Sequence, residues 1–125
     1  FDKDTLALYS IDGKMGRRTL ITNVPMDVVH YFHSFGVTEH YAVLPCNMKM
    51  GMPGFEKGRP YLLSAIQPKW SGIEVVNLTD GQTRHFDMEP FMHVHIANTF
   101  ENGTGLVMDL GAYKENPYGN GPALV

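Results

Sequence analysis

Apolar and polar residues alternate over short stretches of this chain, and each stretch stops at a cluster of Gly, Asn or Asp. "TLALYSI" (5–11) and "RRTLITNVP" (17–25) flank "DGKMG". "GIEVVNL" (72–78) leads through "TDGQ" into "TRHFDM" (83–88), and "MHVHIANTF" (92–100) leads through "ENGTG" into "LVMDLGAY" (106–113). Successive side chains on a strand point to opposite faces, so a period of two predicts half-buried β-strands. The Asp-Gly and Asn-Gly pairs tolerate the positive φ of primed turns and predict hairpins. "VVHYFH" (28–33) and "YAVLPC" (41–46) are denser in apolar residues and predict two more strands around the turn-containing "SFGVTEH". No stretch carries an amphipathic helix.

A run of antiparallel hairpins predicts an all-β sandwich, barrel or propeller. A propeller blade takes roughly 40 to 50 residues. The 125 residues of this chain, which starts at Phe1 rather than Met, therefore amount to about two to three blades. That is too few to close a ring, so residues 1–125 are expected to be an incomplete segment of a single larger domain. "NMKMGMPGFEKGRPY" (47–61) breaks the strand pattern and predicts a long excursion between strands, its methionines serving as packing filler or as the wall of an apolar tunnel.

Composition narrows the function. Hydrophobic residues at 43% and charged residues at 18% describe a globular chain rather than a disordered one. A formal net charge of −3 supplies no basic field, which argues against a nucleic acid partner. Lys14, Arg17 and Arg18 form a small basic cluster that reads as a solvated turn. No apolar run approaches the ~18 to 20 residues that span a bilayer. Cys46 is the only cysteine, so no internal disulfide forms, and a reducing, cytoplasmic location is expected. Asn77-Leu78-Thr79 and Asn102-Gly103-Thr104 match glycosylation triplets but carry little weight without a secretory signal.

The candidate chemistry lies in six histidines: His30, His33, His40, His85, His93 and His95. A lone histidine in a β-protein is by default structural or at the surface, and His30, His40 and His85 stay there. His33 and His95 stand out because each lies on a short aromatic or β-branched strand with a turn soon after it. Equivalent positions in neighbouring repeats would both point at a central axis. Imidazoles meeting there form a natural transition-metal site. On ideal strands Tyr31 shares a face with His33, and His93 shares one with His95. His93-x-His95 could instead grip a metal locally, as in cupin barrels, but the glutamate that a cupin needs about four residues later is missing. The axial reading requires the His33 and His95 rings to converge to within roughly 3 to 4.5 Å, with His30, His40 and His85 away from them.

"HSFGVTEHY" (33–41) resembles the His-Ser-Phe-Gly-x-Thr-x-x-Tyr signature of the carotenoid cleavage oxygenases, and "HIANTFENG" (95–103) resembles their His-x-x-Asn-x-x-Glu element. "LVMDLGAY" resembles the strand that follows. The similarity runs over nearly the whole chain and is closest to the animal branch of β-carotene oxygenases and retinoid isomerohydrolase. It implies a seven-bladed β-propeller with Fe(II) on its axis, held by four histidines. Two of these carry over, as His33 and His95. The other two, and the glutamates behind the ligands, would lie outside the segment. Tyr31 carries over as a substrate-lining residue, His93 becomes a pocket wall or structural neighbour, and Asn98 and Glu101 read as strand-end and turn-building residues. The implied reaction uses O2 to split one double bond of a carotenoid into two carbonyl products. The same fold also serves a retinyl-ester isomerohydrolase, and a carotenoid carrier without catalysis is a third reading. Peripheral membrane contact would come from parts outside the segment.

Overall fold

The computed structural model describes residues 5–26, 30–46, 72–89 and 91–113, and every regular element among them is a β-strand. These are β1 (Thr5–Ile11), β2 (Arg18–Pro25), β3 (Gly36–Val37), β4 (Tyr41–Cys46), β5 (Gly72–Asn77), β6 (Thr83–Asp87), β7 (Met92–Asn102) and β8 (Gly105–Tyr113). No helix among the described residues is long and apolar enough to cross a membrane. The "NMKMGMPGFEKGRPY" segment lies outside the described residues.

The strands form three antiparallel sheets: the hairpin β1–β2, the four-stranded meander β3–β4–β5–β6, and the hairpin β7–β8. A four-stranded meander is the unit blade of a propeller. Turn chemistry follows the sequence in two of the three hairpins. Gly103 opens the two-residue β7–β8 turn at φ 60°, where a side chain would be strained. Asn77 organises the β5–β6 turn, its side-chain oxygen accepting from the Thr79 amide at 2.8 Å. The Asp12-Gly13 pair makes no tight primed turn. Asp12 instead spans a longer loop closed on the Arg17 carbonyl at 3.0 Å, and the positive φ falls on Gly16.

β4 is the centre of the fold. Its apolar run is buried on both faces from Ala42 to Cys46, as expected of a strand covered on both sides. Ala42, Leu44 and Cys46 form one core cluster with Val76 of β5 and Val24 of β2, and Leu6, Leu8, Met26, Phe32 and Leu78 pack against it. The hairpin β1–β2 therefore covers one face of the meander. The Cys46 thiol is spent internally, donating to the Leu44 carbonyl at 3.4 Å. Burying a side chain such as Leu44 is worth about 1.5–3 kcal/mol.

Val28 and Val29 of the predicted strand "VVHYFH" lie outside the described residues; the rest shows a bridge at His30 and a bend at His33, with residues 31–35 outside any ladder. Its alternation survives. His30 is buried, with its ring 6.1 Å from that of Phe32, while His33 points to solvent.

At the outer pair of the blade, Glu74 of β5 lies opposite His85 of β6. The His85 ring is gripped from both sides, Nδ1 by Glu74 Oε1 at 2.6 Å and Nε2 by Asp87 Oδ1 at 3.2 Å. The hydrogen bond to Glu74 is the main cause of a His85 pKa raised above the ordinary 6.5, against a smaller opposing effect of burial. The folded protein thus holds this proton more tightly than the unfolded chain. Its stabilising contribution is full below the ordinary value and is lost as pH rises through the raised folded-state value. Thermal melts from about pH 5 to about pH 9 should show stability falling across that window, and Glu74→Gln should flatten most of the fall.

Candidate metal centre

The site is assembled where the segment leading into β3 crosses β7. These two strands belong to different sheets, so no backbone ladder joins them. Side chains make the junction, and they do so with a period of two. Residues 34, 36, 38 and 40 all contact β7, while His33, Phe35, Val37 and Glu39 are exposed.

Ser34 forms the first contact. Its hydroxyl donates to the Val94 carbonyl at 3.0 Å and accepts from the Ile96 amide at 3.1 Å, straddling His95. Gly36 forms the second. A β-carbon built there would lie 2.9 Å from Thr99 Cβ and collide with the rest of that side chain, so only glycine lets the backbones approach this closely. The third contact centres on Glu101. Its Oε1 accepts from the Thr38 hydroxyl at 2.6 Å and from the His40 amide at 3.0 Å, and its Oε2 meets His40 Nδ1 at 3.0 Å. The Thr38 hydrogen bond is the main reason that the Glu101 pKa falls below the ordinary carboxylate value, with the His40 amide and ring adding to it.

At the end of this junction the His33 and His95 rings meet edge-on, with centroids 4.9 Å apart and planes at 78°. Measured between centroids, that is just beyond the expected 3 to 4.5 Å window and still within ring contact. The other expected absentees keep away: His30 turns to Phe32, His40 to Glu101, and His85 to Glu74 and Asp87. Tyr31 stacks on His33 at 6.2 Å between centroids, and its hydroxyl lies 3.2 Å from His33 Nδ1.

His93 and His95 do not share a face. Two irregularities in the β7–β8 register bracket this region: His93 pairs with Ala112 and Ile96 with Leu110, and then Asn98 pairs with Asp109. Each step places one extra residue on β7, which marks a bulge, and the first inverts His95 relative to His93. His93 is left 1% exposed beneath the strand while His95 reaches out to His33. Burial lowers the His93 pKa, reinforced by nearby His33 and partly offset by a hydrogen bond to the Ser34 backbone, so His93 is a neutral structural ring. The cupin-like His-x-His grip fails for this reason.

Sequence reasoning underrated Glu101 and His40. Glu101 builds no turn; it reaches across to another segment. The signal was available in the alternation of Ser34, Gly36 and Thr38 with the exposed residues, which marks a face made for a close neighbour.

The donors suit a transition metal. Two imidazoles converge with exposed edges, and neutral ring nitrogen fits iron, cobalt and their neighbours. Among the described residues no group of three or more His, Cys, Asp or Glu converges on a metal position, and His33 and His95 meet as a pair.

Comparison with known proteins agrees with the geometry. The family model of the retinal pigment epithelial membrane protein matches residues 1–123. The chain belongs to the carotenoid cleavage oxygenase family. It is 30% identical over 95 residues to a carotenoid isomerooxygenase of Galleria mellonella, covering 68% of this chain and 18% of that protein. It is 29% identical over 122 residues to a chromoplastic zeaxanthin 7,8(7',8')-cleavage dioxygenase of Crocus sativus, covering 93% of this chain and 32% of that one. The crystal structure of cobalt-substituted Synechocystis ACO superposes with a TM-score of 0.73 at 24% identity, over 90% of this chain and 24% of the other. The fold is thus that of the family's β-propeller. This carotenoid oxygenase segment spans less than a third of the length of those two relatives.

Overpacking the junction tests its tightness. Gly36→Ala should cost about 1–3 kcal/mol in urea unfolding, and adding Thr99→Ala should recover part of that loss.

Proposed function

We propose that this chain is part of a single larger propeller domain with non-haem Fe(II) carotenoid oxygenase activity, in which His33 and His95 supply two of the metal's donors. The observation that carries this reading is the meeting of these two rings from separate segments, at the two motifs that mark the family. The cobalt held by the structural neighbour supports a divalent metal in this fold. When bound, ferrous iron supplies the activation of dioxygen for attack on a carbon–carbon double bond.

The chain's own residues do the rest. His33 and His95 are neutral donors, so they bind a cation without cancelling its charge. Tyr31, half-buried against His33, offers an aromatic wall to an apolar polyene. His93 is buried beneath β7. The overall reaction takes up one O2 and yields two carbonyl fragments, each gaining one oxygen atom. A retinyl-ester isomerohydrolase is the second reading, favoured by the family model that matches.

The test uses the full-length protein that carries this chain. His33→Ala and His95→Ala should each lower bound iron to background in metal analysis and abolish cleavage. Supplied with β-carotene under ¹⁸O2, the wild type should give labelled aldehyde. Unlabelled retinol from retinyl ester would favour the isomerohydrolase, and a carotenoid complex free of iron would overturn the enzymatic reading.

A further inference from the structure

The geometry points to Glu101 as the positioning residue of the metal pair: from the far end of β7 it sets how the His33 segment sits against His95. This inference rests on reading His33 and His95 as donors.

Register between the two segments has no ladder to fix it, because β3 and β7 lie in separate sheets. Sliding or splaying of one against the other is opposed by side chains alone. Gly36 on Thr99 permits close approach but has no directional bond. Ser34 pins the histidine end with two hydrogen bonds. One pinned point leaves a hinge, and a second is needed to set the angle between the segments. Glu101 is that second point. Its two oxygens collect a hydroxyl, a backbone amide and a ring nitrogen, all from Thr38 and His40 of the opposite segment. A carboxylate is suited to this work because both of its oxygens accept, and bonds to a charged acceptor are the stronger kind. The clamp lies six positions after His95 on β7, and its partner Thr38 lies five positions after His33, so clamp and histidine pair occupy opposite ends of one contact.

The experiment titrates the full-length, metal-free protein with Co(II), reading both affinity and the visible ligand-field spectrum. Glu101→Ala should weaken Co(II) binding by roughly 10–100-fold, the usual cost of losing a residue that orients metal ligands, and should shift the bands. Glu101→Gln still accepts from Thr38 and the His40 amide and should restore most of the affinity. Glu74→Ala breaks a carboxylate–histidine pair between β5 and β6, on residues that take no part in the junction, and should leave affinity and spectrum unchanged. Wild-type affinity and spectrum in Glu101→Ala would overturn the inference, as would an equal loss in Glu74→Ala. If Glu101→Ala does not fold, Thr38→Val removes a single donor and is read in the same way. Loss of Co(II) in His33→Ala with none in Glu101→Ala rejects the clamp alone, whereas retention of Co(II) in His33→Ala rejects the donor reading itself.

Discussion

The structure depends on a crossing of two extended segments that share no backbone hydrogen bonds. Elsewhere in the molecule, strand register is set by ladders, and each residue has a fixed partner. At the crossing of residues 34–40 with β7, position is set by three side-chain contacts spaced two residues apart. A ladder would be stiff but would place successive blades in one flat sheet. Side-chain contact joins the two sheets without a shared ladder, and His33 and His95 come together at its end.

The burial pattern follows from the same arrangement. β4 is covered on one face by the β1–β2 hairpin, through Val24, Leu6 and Leu8. Its sheet meets β7 through the edge strand β3. Val43 and Pro45 on the opposite face are buried as well, so "YAVLPC" shows no strict alternation of apolar and polar residues. The outer strand β6, exposed along most of its length, is held to β5 by its backbone ladder, with the Glu74–His85 pair bonded across it.

The bulges in β7 solve a geometric problem. A regular strand would have put His93 and His95 on one face, and either both rings would be buried or both would be exposed. One extra residue between them separates structure from chemistry: His93 is packed and held neutral, and His95 is presented to His33. Sheets commonly carry such defects beside functional sites, where a side chain has to be re-aimed.

Local chemistry determined much of this protein without tertiary help. The strands and turns follow from alternation and from Asn and Gly at the bends, because backbone preference and side-chain period act over a few residues. The pairing of "HSFGVTEHY" with "HIANTFENG" as partners was legible from their resemblance to a family. What the sequence could not settle was the face on which each histidine ended. Period-two counting fails where a bulge inserts a residue, and a bulge is chosen by what packs above and below the strand. Nor could it show that Glu101 reaches Thr38 and His40, which lie about sixty residues earlier in the chain. That contact exists only because folding brings two sheets together edge to edge, and the positions of the two rings were decided there.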